Sequence, residues 1–367
     1  MIINLLSIVF AKKKLNSIIV TKQSPGGNCL YMKDKINIRQ IAKMSGFSIA
    51  SISRVINGKS GVSEENRRKI NEFLKKHNYI ADSHLSSAKK IALLCGENNF
   101  DDYVGRIFDG VHQYTHHHAL NTSIIFSNNN LKMNALEQIR DQQCAGVIVI
   151  LPLEFEQDFD ILAASELPVM IIDNVAYADG IGFIGHDAYS GSQKATEYLL
   201  EMGHRNIGYI EFGKKTYNHL QRVKAYEETL NKAGIVIKPE WREVTSLEYS
   251  LCEGAYKKMK ILMKKAPELT AVMTSNDNLA QGAMKAVWDS GKRVPDDISI
   301  IGFDNYSQTE FLYPALTTVN HPIKEMGYLA AQGVDRYLKN PQNTELTQII
   351  LPTELVVRDS VTLAPVR

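Results

Sequence analysis

From Asn37 to Asn57 the apolar residues recur at helical spacing, stop, and resume. Ile38, Ile41 and Ala42 fall at i, i+3, i+4, as do Ile52, Val55 and Ile56. This spacing predicts two short amphipathic helices separated by Ser45-Gly46-Phe47. Asn37 followed by Gln40 reads as a capping box, and Ser48 can cap the second helix. A third helix is expected from Ser63, its cap, through Glu64-Glu65 to about His77. Its apolar positions Ile70, Phe73 and Leu74 again follow the helical period, and basic residues gather near its end.

Beyond Ile91 the rhythm changes to short apolar runs alternating with helical patterns. Segments 91–95, 122–127, 146–151, 168–173 and 180–185 read as buried strands, with helices near 105–119, 133–143 and 190–202. The alternation repeats with strands at 206–212, 271–275 and 298–303 and helices near 219–233, 252–265 and 279–290. Strands that are apolar throughout and alternate with helices imply parallel sheets covered on both faces. Two successive groups imply two α/β lobes with a cleft between them. Ligands of such sheets bind beyond the carboxyl ends of the strands. That rule selects Glu97-Asn98-Asn99, Ser127-Asn128-Asn129, Asp173-Asn174, Asn276-Asp277 and Asp304-Asn305.

Charge adds a division that the net value of +2 conceals. Residues 33–90 hold 13 Lys/Arg against 5 Asp/Glu, a net of +8, and residues 1–32 add 4 lysines, leaving −10 on residues 91–367. A basic head on an acidic body suits a polyanion-binding module joined to a soluble domain. Opposite the apolar stripe of the second helix lie Ala50, Ser53, Arg54 and Asn57. An arginine can fork onto guanine O6 and N7, while Ser and Asn can hold phosphates.

Other chemistry is sparse. Cys29, Cys95, Cys144 and Cys252 are scattered without ligand spacing and read as reduced thiols of a cytoplasmic protein. His116-His117-His118 point in different directions around a helix and read as a solvated helix end. No catalytic nucleophile–base pair, phosphate loop or metal spacing appears, and no cofactor is implied. No run of about 18 apolar residues is present to span a membrane. In residues 1–11 the apolar run precedes Lys12-Lys13-Lys14, the reverse of a secretory signal. Residues 1–31 are expected to be a non-native or disordered extension, with Met32 as the true start.

The quoted segments carry a resemblance. IRQIAKMSGFSIASISRVINGKSGVSEENRRKI resembles the helix-turn-helix headpiece of the lactose/galactose repressor family of bacterial transcription regulators. KATEYLLEMGHRNIGYI, TSNDNLAQGAMKAVWDSGKRVPDDISIIGFDN and LYPALTTVNHP resemble its effector domain, so the likeness runs from about Ile36 to Arg358. It implies an N-terminal three-helix head at 32–80 and a hinge at 81–90. Residues 91–367 would form a two-lobed, periplasmic-binding-protein-like α/β domain with parallel sheets.

The implied function is a repressor of sugar-utilisation genes, a homodimer on palindromic double-stranded operator DNA, controlled by a small sugar in the interlobe cleft. Because no leucine-heptad tail follows, a dimer is expected rather than a tetramer. Carried over by position, Ile49 and Ala50 choose bases, Arg54 contacts guanine, and Ser48, Ser51 and Asn57 hold the backbone, with Ser53 on the same face. Asp173, Arg222, Asn276 and Asp304 match groups that bind sugar hydroxyls, and Tyr249 stands where an aromatic stacks on the pyranose. Phe100, Asp101 and Tyr103 fall among the loop residues that select the sugar.

The linker departs from the family. YIADSHLSSAKKI lacks the usual Pro-Asn after its tyrosine and is about three residues short. Ala88 falls where the minor-groove leucine belongs, with Leu85 as the alternative wedge. An exported solute-binding protein shares the two-lobed architecture, but the basic head and the missing export signal argue against it. An enzyme using Asp173 and Asp304 lacks every supporting motif.

Overall fold

The computed structural model describes residues 38–56, 60–76, 89–96, 102–127, 131–150, 162, 165–173, 181–213, 216–245, 250–340, 346 and 348–366. Residues 1–37, Asn57, the linker positions Leu85 and Ala88, the loop residues Phe100 and Asp101, and Tyr249 lie outside the described residues. So do the strand-end positions 97–99, 128–129 and Asn174. The chain divides into two compact units, residues 1–84 and 85–367.

In the first unit, α1 (Ile38–Ser45), α2 (Ile49–Ile56) and α3 (Glu64–Lys76) enclose one small core. Ile41, Ile52, Val55 and Ile70 are buried there, ringed by Ile38, Ala42, Phe47, Val62, Phe73 and Leu74. These are the residues that helical periodicity selects. Gly46, at φ 74°, donates its N–H to Ala42 O at 3.1 Å and ends α1 in a left-handed cap. Ser48 Oγ accepts from Ser51 N at 3.0 Å and Ser63 Oγ from Asn66 N at 3.4 Å, so both expected serine caps are formed.

The second unit holds two six-stranded sheets. The first contains β1 (Lys90–Gly96), β2 (Asn121–Ser127), β3 (Cys144–Ile150), β4 (Val169–Ile172) and β5 (Ile181–His186). The second contains β6 (Ile207–Glu211), β7 (Arg242–Val244), β8 (Ala271–Thr274), β9 (Ser299–Asp304) and β10 (Thr317–Asn320). Each is completed from the C-terminal region. β11 (Gln348–Leu351) pairs parallel with β5, and β12 (Glu354–Val356) pairs antiparallel with β10. The orders are β11-β5-β4-β3-β1-β2 and β12-β10-β9-β8-β6-β7.

Both sheets are covered on two faces, as continuous apolar strands require. Along β1, Ile91, Leu93 and Cys95 join a core with Val104, Ile107 and Val111 of α4 (Asp102–His117) and Met326, Ala330 and Val334 of α10 (Ile323–Lys339). Ala92 and Leu94 point the other way, toward Ala135 and Ile139 of α5 (Leu131–Asp141). In the second sheet, Ile210, Val272 and Ile300 pack under α8 (Leu251–Lys265) and α9 (Asp277–Asp289). Tyr209, Met273 and Phe303 face α6 (Ala188–Glu201) and α7 (Tyr217–Lys232).

Two sequence expectations are refined. The lobes are not consecutive segments, because α10 and β11 return to the first lobe after β10 of the second. The segment 122–127 is not buried throughout: β2 is an edge strand with Ile124 and Phe126 each 44% exposed. Periodicity also missed α10, whose glycines serve packing. A Cβ on Gly327 would stand 2.2 Å from Ile107 O, and one on Gly110 of α4 would stand 1.9 Å from Lys324 O. The two helices touch backbone to backbone.

Candidate functional site

In the first unit the helix α2 offers an outward face. Ile49 is 47% exposed, Ala50 and Arg54 are exposed, and Ser53 is half-buried. Ser48 and Ser51 join through their hydroxyls at 2.9 Å at the helix start. The Arg54 side chain passes beside Gly61, with its Cδ 3.9 Å from where a Cβ would lie, so the loop before α3 flanks the guanidinium stem. One face thus presents a forked cation, two apolar side chains and hydroxyls. This is the set that base edges and phosphates require.

In the second unit the predicted Asp173, Arg222 and Asp304 converge. Asp173 follows β4, Arg222 lies on α7, and Asp304 ends β9. Arg222 is buried, with Nη2 3.3 Å from Asp304 Oδ1 and 3.2 Å from His186 Nε2, and Nη1 donating to Ser275 O. Its guanidinium stacks 3.6 Å above the Phe303 ring centre. Asn276 adjoins this group, but its carboxamide oxygen accepts from Leu279 N at 2.9 Å and caps α9.

Four further participants were not singled out from the sequence. His186 ends β5, with Nδ1 2.6 Å from Asp173 Oδ1, out of line for a hydrogen bond. His321 follows β10, stacks on His186 at 4.0 Å between ring centres, and sets Nε2 3.2 Å from Asp304 Oδ1. Asn218, in the first turn of α7, donates to Asp173 O at 2.8 Å and to its Oδ1 at 2.5 Å. Ser275 supplies the carbonyl beneath Arg222. The strand-end rule, applied to histidines, marks His186 and His321.

Electrostatics follow from burial and charge. Burial raises the Asp173 carboxyl, but the adjoining His186 and then Arg222 outweigh it and hold the group below its ordinary value. His321 is held well below the usual imidazole value by burial first, then by His186. Burial and the negative charge of Asp173 push the Tyr103 phenol up. Asp277 is a separate case: burial and then Asp304 raise it. Its carboxyl accepts from Thr318 Oγ1 at 2.5 Å and from Tyr306 N at 2.8 Å, a structural tie under the site.

Backbone strain concentrates at the same strand ends. Asp173, Asp304 and Asn305 have φ of 65°, 107° and 50°, conformations that side chains beyond glycine rarely adopt. Arg106 of α4 donates to Asn305 O at 3.0 Å, and Ser307 Oγ lies 3.2 Å from Asp102 Oδ1, so the two lobes also meet at the rim. Within the cluster, Arg222 Nε, His321 Nδ1 and Tyr103 Oη are buried without hydrogen-bond partners. A separate cavity of about 480 Å³ lies between α4 and the start of α10, lined by Arg106, Gln113, Asn320 and Lys324 among others. Asp173, Arg222 and Asp304 are not among its lining residues.

Residues 37–82 match the family of bacterial regulatory proteins, lacI family, and residues 196–361 match the periplasmic binding protein-like domain. The chain thus carries a lacI-family DNA-binding head followed by a periplasmic-binding-protein-like domain. It joins a helix-turn-helix head to a two-lobed α/β domain, and its relatives are named as transcriptional regulators. One relative, the ribose operon repressor of Haemophilus influenzae, is 28% identical over 332 residues, covering 88% of this chain and 98% of its own. The lac repressor dimer bound to operator and the anti-inducer ONPF has the same fold. Its TM-score is 0.72 at 22% identity, with 90% of this chain and 100% of that one covered. A lacI-family regulator from Enterococcus faecium with bound ribose gives a TM-score of 0.67 at 22% identity, covering 76% and 100%. No described helix is long and apolar enough to cross a membrane.

Proposed function

We propose that this protein is a lacI-family regulator, a cytoplasmic homodimeric repressor of sugar-utilisation genes controlled by a small sugar held between the lobes. The observation that carries the sugar reading is the strand-end cluster. Asp173 and Asp304 supply acceptors, while Arg222 and Asn218 beside them supply donors. Vicinal hydroxyls donate and accept at once, so paired acceptors beside a forked donor suit them. The buried Arg222 Nε, His321 Nδ1 and Tyr103 Oη give such a ligand further partners. The ribose bound by the Enterococcus faecium relative and the ribose operon named for the Haemophilus influenzae relative support the same class.

In this reading residues 32–80 read a palindromic operator, 81–90 form the hinge, and 91–367 bind ligand and pair the protomers. Ile49 and Ala50 discriminate bases through apolar contact, Arg54 reads guanine, and Ser48, Ser51, Ser53 and Asn57 anchor phosphates. Leu85 or Ala88 serves the hinge, and Asn276 and Tyr249 complete the sugar site. Sugar acts by binding one arrangement of the lobes better than the other.

Thermal-shift and calorimetric titration against ribose, cellobiose, galactosides and other mono- and oligosaccharides tests the reading. A binding sugar should stabilise the wild type, leave Asp173→Ala unshifted, and change operator affinity in a mobility-shift assay. Unchanged stability and operator affinity with every sugar would exclude sugar control.

A further inference from the structure

We propose that the outer face of α4 carries a transition-metal site made by His112 and His116. The sequence reads the triplet 116–118 as a solvated helix end; the ring centres of His116 and His117 lie 5.2 Å apart at 71°, but adjacent helical residues project from different faces. Helical spacing favours a different pair. His112 and His116 stand four residues apart, so they share one face, and both are exposed. Their ring centres are 5.6 Å apart.

That separation is close to what one bridging metal requires. A metal about 2.0–2.1 Å from an imidazole nitrogen stands roughly 3.2 Å from the ring centre, so two rings at the tetrahedral angle have centres about 5.2 Å apart. A small rotation about the side-chain bonds closes the difference. Two histidines at i and i+4 on a helix face are the pairing by which the His-Glu-x-x-His motif holds zinc. The neighbours fit the assignment. Asp109, one turn earlier, is exposed on the same face and offers an outer-shell acceptor. His118 is committed elsewhere, with Nδ1 2.7 Å from Tyr114 O and its ring stacked on Tyr114. The pair also lies in the last turns of α4, where the helix field favours a cation.

Among the described residues no group of three or more His, Cys, Asp or Glu is arranged to hold a metal. The site is therefore two-coordinate from the protein, with water filling the remaining positions. Imidazole ligands favour Ni²⁺, Cu²⁺ and Zn²⁺ over the hard ions Mg²⁺ and Ca²⁺. The site is independent of the strand-end cluster and of the sugar reading.

The test is calorimetric titration of the untagged full chain with Ni²⁺ at pH 7.5, with Mg²⁺ as the control ion. One Ni²⁺ site should depend on both residues, with His112→Ala and His116→Ala each weakening it on the order of tenfold or more. His117→Ala and His118→Ala should leave it within about threefold of the wild type. The substituted side chains are exposed, and circular dichroism confirms folding. No Ni²⁺ binding, retention of the site in His112→Ala, or its loss in His117→Ala would each overturn the assignment.

Discussion

Replacing Arg222 by Met tests the electrostatic frame of the cleft without knowledge of the ligand. The methionine keeps an apolar body over Phe303 but removes the guanidinium that meets His186, the Asp304 carboxylate and Ser275 O. Asp304 then keeps His321 Nε2, at 3.2 Å, and loses its fixed cation in a site where its own side chain is 7% exposed. Removing one member of a buried ion pair costs about 3–5 kcal/mol, mostly as the uncompensated charge left behind. The surviving histidine contact places Arg222→Met near the lower end, about 3 kcal/mol.

Adding Asp304→Asn removes the stranded charge, so the double variant should recover at least about 1 kcal/mol relative to additivity. Urea unfolding followed by tryptophan fluorescence reads this cleanly. Trp241 and Trp288, the chain's 2 tryptophans, both belong to the second unit, so the signal excludes the headpiece. A loss below about 1 kcal/mol, or strict additivity in the double variant, would refute the view that Arg222 compensates Asp304.

Other outcomes follow from the same geometry. His321 stays neutral in the fold while the unfolded chain takes up its proton near pH 6.5, so stability falls as pH drops below that value. Between pH 7.5 and 5.5 the wild type should lose about 1.4 kcal/mol more than His321→Gln in urea melts, and parallel losses would count against a neutral His321. Gly110→Ala forces its methyl against Lys324 O and should cost about 1–3 kcal/mol in the same melts, whereas an unshifted midpoint would mean that α4 and α10 separate freely. Arg54→Ala should weaken operator binding by about 1–3 kcal/mol in mobility shifts and relax preference at one base pair. Equal losses on all sequences would reassign Arg54 to a phosphate.

The headpiece was almost wholly legible from its sequence. Ile41, Ile52, Val55 and Ile70 bury together because helical spacing fixes which side chains share a face, and Ser48 and Ser63 cap by contacts only three residues long. The strands and helices of the second unit were legible for the same local reason. Their helices begin about two residues before the apolar stripe does, since capping residues start the helix and hydrophobicity only marks its buried face. Helix α10 was missed because Gly327 and Gly333 interrupt its stripe, and what they accommodate lies on other elements.

The strand-end rule found Asp173 and Asp304, each held in a left-handed conformation at the end of its strand. It could not find that His186 and His321 stack between them. Those rings meet only because the chain crosses between lobes after β5 and again after β10, bringing two strand ends from different sheets into one place. Local spacing decided the elements, the caps and the faces they bury, because those contacts span a few residues. The tertiary crossings alone decided which charges become partners, because pairing depends on where distant strands end and how little water remains between them.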